Sequence, residues 1–133
     1  MNIKQIDIYL MEMKMKTPFS TSFGTVQNKK FYVVKAIDES GIVGWGEGVA
    51  FEAPWYTEET VETSLHMLEK FLIPLVLQRT IEHPNEVDSF FQSIRRNQMA
   101  KASIEGAVWD LYAKLQNKPL SSVVGGKRTA IDV

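Results

Sequence analysis

Apolar and polar positions alternate along the first fifty residues and then change period. Across residues 2–15, Ile6, Ile8 and Leu10 share one parity and Met11, Met13 and Met15 the other. The alternation predicts a strand, and the one-residue phase change predicts a β-bulge, which flips the apolar face. Residues 16–27 are polar, carry Pro18 and Gly24, and read as a loop despite Phe19 and Phe23. Residues 30–38, with Val33 and Val34 central, predict a second strand, and residues 42–49 a third. Between them Asp38-Glu39-Ser40-Gly41 is a turn, so these two strands form an antiparallel hairpin. Gly44, Gly46 and Gly48 fall on one face of the third strand, a bare surface that another element approaches closely.

From residue 57 the period becomes helical. Thr57 is an N-cap candidate, with Tyr56 and Val61 placed for a hydrophobic staple and Glu58, Glu59 and Glu62 near the positive end of the helix. Val61, Leu65, Leu68, Leu72 and Leu75 form its stripe, and Pro74 ends or kinks it. Pro84 opens a second helix with a stripe of Val87, Phe90, Phe91 and Ile94. A third runs from about residue 99 to 116. Ile104, Val108, Leu111 and Leu115 lie on one face, Ala100, Ser103 and Ala107 on a small-residue face that admits a close neighbour. Asn117 and Pro119 terminate it, and a short turn of helix over 120–124 stops at Gly125-Gly126. Strands followed by helices predict an α+β domain: a three-stranded antiparallel meander, then a helical bundle.

A length of 133 residues fits one domain, and 44% hydrophobic with 23% charged residues suffices for a packed core. A net charge of −1 gives no footprint for nucleic acid or an anionic membrane. No apolar run approaches a membrane span, and the start lacks the pattern of a signal peptide. With no cysteine, disulfide and thiolate chemistry are excluded within this chain. These features predict a cytoplasmic protein.

Candidate chemistry is sparse. His66 and His83 have no partner at metal-ligand spacing, and His83 precedes Pro84 as a capping residue would. The carboxylates at 58, 59 and 62 read as a solvated acidic first turn rather than a cation site. The serines lack a nucleophile-elbow context, and the hairpin glycines do not form a phosphate cradle. Lys14, Lys16, Lys29 and Lys30 could meet an anionic substrate, but ordinary strand-end charge is the simpler reading. Phe19 and Phe23 either fold back on the core or close over a ligand, and the same two readings hold for Phe51, Trp55 and Tyr56 around Pro54.

The third helix carries a resemblance. Ala100, Ala102-Ser103-Ile104-Glu105, Ala107, Trp109-Asp110-Leu111 and Ala113-Lys114, followed by Pro119-Leu120 and Gly125-Gly126, resemble the signature ending the capping domain in the mandelate racemase/muconate-lactonising branch of the enolase superfamily. The hairpin Gly41-Ile42-Val43-Gly44-Trp45-Gly46-Glu47 is similar to that family's second recurring element. Val108 and Val123 are small departures. Residues 17–24, 53–60 and 71–74 further resemble o-succinylbenzoate synthases of the Gram-positive type, kin of the N-acylamino acid racemases and, more distantly, of dipeptide epimerases and muconate cycloisomerases.

The resemblance implies a capping domain over 1–126, with 127–133 beginning the first strand of a catalytic (β/α) barrel absent from this chain. In that family two lysines and Asp/Glu ligands of a divalent metal, Mg²⁺, lie on the barrel and remove a proton α to a carboxylate. For the synthase the outcome is loss of water, giving the aromatic precursor of menaquinone. This chain would then hold no catalytic residue, no metal ligand and no cofactor, and would be inactive alone. Its contribution would be a lid over a small carboxylate substrate, with Phe19, Ser22, Phe23 and Phe51 in contact. Glu47, Trp109 and Asp110 would be structural. Alternatives are the lid of an N-acylamino acid racemase or dipeptide epimerase, and a free-standing binding module. The barrel is the implied partner, and a copy without one is expected to self-associate through its exposed docking face.

Overall fold

The computed structural model describes residues 1–22, 24–128 and 130. Three strands, β1 (Ile3–Thr21), β2 (Gly24–Asp38) and β3 (Val43–Gly48), form an antiparallel meander in the order β1-β2-β3. Helices follow: α1 (Val61–Met67), α2 (Ile73–Leu77), α3 (Val87–Phe90), α4 (Gln98–Leu115) and α5 (Leu120–Val123). The expected α+β order is therefore present. The expected barrel-strand start over 127–133 includes Thr129, Ile131, Asp132 and Val133, which lie outside the described residues.

Two expectations for the sheet are corrected. The segment 16–27 is not a loop: β1 and β2 run on through it as a two-stranded ribbon, pairing Phe19 with Val26 and Thr21 with Gly24. Its polar composition reflects a ribbon that has outrun the core and needs no buried face. Nor is there a bulge at Leu10–Met11. The ladder is continuous from Gln5–Ile37 to Lys14–Asn28, with irregularities before Gln5 and between Lys14 and Phe19. The phase change arises because β1 leaves the core there, so Leu10, Met11 and Met13 are all exposed.

The β2–β3 turn forms as its residues dictate. The Asp38 carboxylate accepts from the Ser40 amide, the Ser40 hydroxyl and the Ile42 amide at 3.0, 2.7 and 3.0 Å. Gly41 takes φ +89°, a conformation other residues rarely adopt.

The core lies between the inner sheet face and α4. Tyr32, Val34 and Ala36 from β2 meet Ile104, Ala107, Val108 and Leu111 from α4, with Leu68, Leu72 and Val76 closing one side. Each fully buried aliphatic side chain contributes about 1.5–3 kcal/mol relative to exposure. The bare glycine face lets β3 lie directly on α4. A Cβ on Gly46 would overlap the Ser103 carbonyl, and one on Gly44 the Ala107 carbonyl, so backbone touches backbone. Asp110 accepts the Trp45 amide hydrogen at 2.8 Å, and Lys114 donates to the Val43 carbonyl at 2.9 Å, so the outer edge of β3 is covered.

Helix boundaries differ from the pattern reading. α1 is capped by Thr60, not Thr57, through a reciprocal capping box with Thr63. No staple forms at Tyr56, which is 73% exposed. Pro74 does not end the helical run. The chain widens over residues 68–72, where the Ile73 amide reaches back five residues to the Leu68 carbonyl, and Pro74 enters the first turn of α2. A π-turn before proline avoids the clash its ring would make with an i−4 carbonyl. The helix expected from Pro84 is a 3₁₀ turn (Pro84–Glu86) and the single turn α3, yet its stripe of Val87, Phe90 and Phe91 is buried as expected. Among the described residues no helix is long and apolar enough to cross a membrane.

Candidate functional site

The ribbon tip and the segment leaving β3 enclose a cavity of about 380 Å³, lined by Phe19, Thr21, Val26, Phe51, Trp55 and Tyr56. One wall is cross-strand: Phe19 on β1 faces its ladder partner Val26 on β2. Gly24 belongs to this wall's support, since a Cβ there would stand 3.6 Å from the Trp55 indole. The other wall is the segment 49–60, whose ends are tied. Phe51 bridges Thr60, and the Val61 amide donates to the Phe51 carbonyl at 2.9 Å. Such a closed surface loop keeps its aromatic residues in place without regular structure of its own.

Glu59 anchors the far end of this loop. Its side chain is buried, and its two carboxylate oxygens accept the Met99 and Ala100 amides at 2.9 and 3.0 Å. These are unpaired donors at the start of α4, where a carboxylate also meets the helix dipole. Just before them Arg96 and Asn97 take left-handed φ of 56° and 57°, turning the chain so that the helix start faces Glu59. Glu58, alongside, pairs with Arg96 at 3.3 Å. Its own backbone amide first, and Arg96 after it, hold its pKa below the ordinary value. The acidic cluster at 58, 59 and 62 is thus not a uniformly solvated first turn.

Charge sits at the rim of the cavity. An adjoining groove shares Val26, Phe51 and Trp55 and adds Lys30 and Glu52. Lys30 pairs with Glu52 at 2.6 Å, and this hydrogen bond and charge raise the lysine pKa. Lys29 pairs with Glu47 at 2.8 Å. Two of the four expected basic residues are therefore neutralised by neighbours, in keeping with the reading as strand-end charge.

Of the residues picked from sequence, Phe19 and Phe51 meet in the cavity. Ser22 does not line it; it sits exposed in the turn at the ribbon tip. Phe23 lies outside the described residues. Thr21 and Val26 were missed because their segment reads as loop, and the signal that finds them is pairing across a hairpin rather than composition. Trp55 and Tyr56 were visible as aromatics around Pro54 but were not assigned to the site. Glu47 and Asp110 hold the sheet, through Lys29 and through Trp45 with Lys114. Trp109 packs edge-on against His83 at 5.3 Å between ring centres, and His83 Nδ1 caps the following turn at Asn85.

The arrangement can surround an apolar group and exclude water. Among the described residues the lining contains no charged side chain. Among the described residues no three His, Cys, Asp or Glu side chains converge as a metal centre requires, so these residues do not fit a divalent metal.

The description "Mandelate racemase / muconate lactonizing enzyme, N-terminal domain" matches residues 5–125. The chain belongs to this family. It is 53% identical to an o-succinylbenzoate synthase of Geobacillus stearothermophilus over 132 residues, 99% of this chain and 35% of that protein. It is 38% identical to an N-succinylamino acid racemase of Thermus thermophilus over 133 residues, 36% of that protein. A solved enolase-superfamily member from Listeria innocua superposes with a TM-score of 0.92 at 38% identity, over 96% of this chain and 34% of the other. The chain thus spans about a third of the length of the curated relatives it matches.

Proposed function

We propose that this chain is the capping domain of an o-succinylbenzoate synthase and is inactive without a catalytic barrel. The observation that carries the reading is the cavity itself. Phe19 from the ribbon and Phe51 with Trp55 from the tied loop converge on one apolar space. Such a space suits the part of a small carboxylate substrate that does not react. The family and the relationship to a synthase support the same assignment. In this reading the proton-transfer lysines and the ligands of Mg²⁺ belong to the barrel of the longer protein, and the metal supplies charge stabilisation there. Phe19 and Phe51 bind the substrate and exclude water, which tunes specificity. In this reading Ser22, at the ribbon tip, and Phe23 are also substrate contacts. The setting is cytoplasmic, in the synthesis of the menaquinone precursor.

A lid on an N-succinylamino acid racemase is the second reading. An uncharged pocket accepts an amino-acid side chain as readily, and one relative carries that activity in its name.

The test replaces the matching segment of the Geobacillus stearothermophilus synthase with this chain. The chimera is expected to form o-succinylbenzoate in the presence of Mg²⁺ while the isolated 133-residue chain does not. Turnover by the isolated chain would overturn the reading. A folded chimera that only racemises N-succinylamino acids would favour the second.

A further inference from the structure

The loop that walls the cavity is tied at its far end, by Glu59 on the start of α4 and Glu58 on Arg96. Its middle, residues 52–57, is held differently. Trp55 leans on Gly24 at the ribbon tip, and the Glu52 carboxylate takes the Lys30 ammonium at 2.6 Å. Gly24 belongs to the outer ribbon, beyond the ladder irregularity between Lys14 and Phe19. Lys30 lies inside the regular ladder, opposite Glu12 and two pairs before its end at Lys14–Asn28. It shares a face of β2 with Val26 of the cavity and Tyr32 of the core, since alternate residues of a strand point the same way. The ion pair thus fastens the loop, next to Phe51, to the sheet proper rather than to the ribbon.

Lys30 has a second carboxylate within reach. Residues opposed in an antiparallel ladder stand on one face with Cβ atoms about 5 Å apart, which makes Glu12 its default counter-ion. Among the described residues Glu12 makes no ion pair, and the ammonium goes to the loop instead. The hydrogen bond and charge of Glu52, then the charges of Glu12 and Glu62, raise the lysine pKa against the lowering by desolvation. The Lys30 and Glu52 side chains are 43% and 54% exposed, and an exposed pair changes partners at little cost. Bonded to Glu52 the lysine ties the loop; bonded to Glu12 it lets the loop go.

We propose that Lys30 is a positioning residue for the cavity, shared between Glu52 and Glu12, and that its choice of partner sets how closely the loop carrying Phe51 and Trp55 sits against the sheet. Its effect on substrate rests on the lid reading; its effect on the loop does not. Such a device acts on binding, because apparent affinity falls with the fraction of molecules whose loop is in place.

Glu52→Gln and Glu12→Gln each remove one negative charge at an exposed position and keep the fold, which circular dichroism checks. In the 133-residue chain, Glu52→Gln is expected to speed deuterium exchange across residues 52–57 about two- to fivefold, whereas Glu12→Gln should not. Added salt should speed exchange in the parent in the same way and leave Glu52→Gln unmoved. In the chimera, Glu52→Gln should raise KM by a similar factor with kcat kept, and Glu12→Gln should not raise it. Loss of nearby negative charge alone gives the reverse for Glu52→Gln, a lower KM for an anionic substrate in both variants, and that result overturns the proposal. So does exchange in residues 52–57 that Glu52→Gln leaves unchanged, or that both variants speed alike. A chimera without turnover counts against the lid reading and leaves the exchange result to decide on Lys30.

Discussion

The Glu59 carboxylate and the Ala100 amide are joined by a 3.0 Å hydrogen bond across 41 residues of sequence. The loop that walls the cavity and the helix that carries the family signature are thereby one mechanical unit.

Replacing Glu59 by Ala leaves the Met99 and Ala100 amides without an acceptor. A loss of about 2 kcal/mol is expected from two charge-assisted bonds at a helix start, read as a lower urea midpoint. Deuterium exchange in residues 51–60 should rise with it. An unchanged midpoint would remove Glu59 from the anchoring role.

Glycines on and near α4 should respond with opposite signs. Gly46→Ala forces a methyl into the Ser103 carbonyl and should cost more than about 2 kcal/mol, since neither backbone can yield. Gly106→Ala, whose nearest neighbour is Gly46 Cα at 3.8 Å, should stabilise by about 0.5–1 kcal/mol through helix propensity. Thermal melts of the two variants give the comparison directly.

Tyr32 is buried, and neither its hydroxyl nor that of Ser64 has a hydrogen-bond partner among the described residues. Burial raises the tyrosine pKa; the nearby Ser64 and Ser103 hydroxyls draw it back in part, and the charge of Glu59 raises it further. A raised folded-state value means the folded chain holds this proton more tightly than the unfolded one. The contribution is complete below the unfolded tyrosine value of about 10 and is lost as pH rises above it. Tyr32→Phe should cost little at pH 7 and should reduce the alkaline loss of stability, measured by denaturant titration at pH 8 and pH 11.

Asp110→Ala uncovers the Trp45 amide at the β3 edge. The Trp45 amide should exchange with solvent at least tenfold faster, on the order of the opening expected from a lost charge-assisted bond of about 1.5–3 kcal/mol. Lys114→Met, which leaves Asp110 in place, should have the smaller effect at that amide.

In the chimera, Phe51→Ala should raise KM with a smaller change in kcat, because the side chain lines the cavity among apolar neighbours. An equal fall in kcat and kcat/KM would place Phe51 nearer the reacting atoms than the lid reading allows.

The meander, the turn at Asp38 and the α4 interface were legible because each rests on local rules: alternation, an Asx turn, glycines facing small residues. The ribbon was not. Residues 16–27 bury little, so no apolar period marks them, and their pairing is visible only from the partner strand. The N-cap was misplaced by three residues because Thr57 and Thr60 are equivalent locally. What separates them is Glu59 reaching α4, a contact no window of sequence contains. The cavity was half legible for the same reason. Phe19 and Phe51 stand out as aromatics in polar surroundings, whereas Val26 belongs to the site only through its place opposite Phe19.

The ladder irregularity between Lys14 and Phe19 lies at the root of the ribbon's outer section, with the tip some seven residues, roughly 20 Å, further on. A few degrees of twist there sweep the tip, where Thr21 lines the cavity, through an ångström or more, as a crane arm magnifies a turn of its base. Pocket shape can thus drift through substitutions at the pivot while every lining residue stays the same, and a search for specificity changes confined to the lining would pass over them.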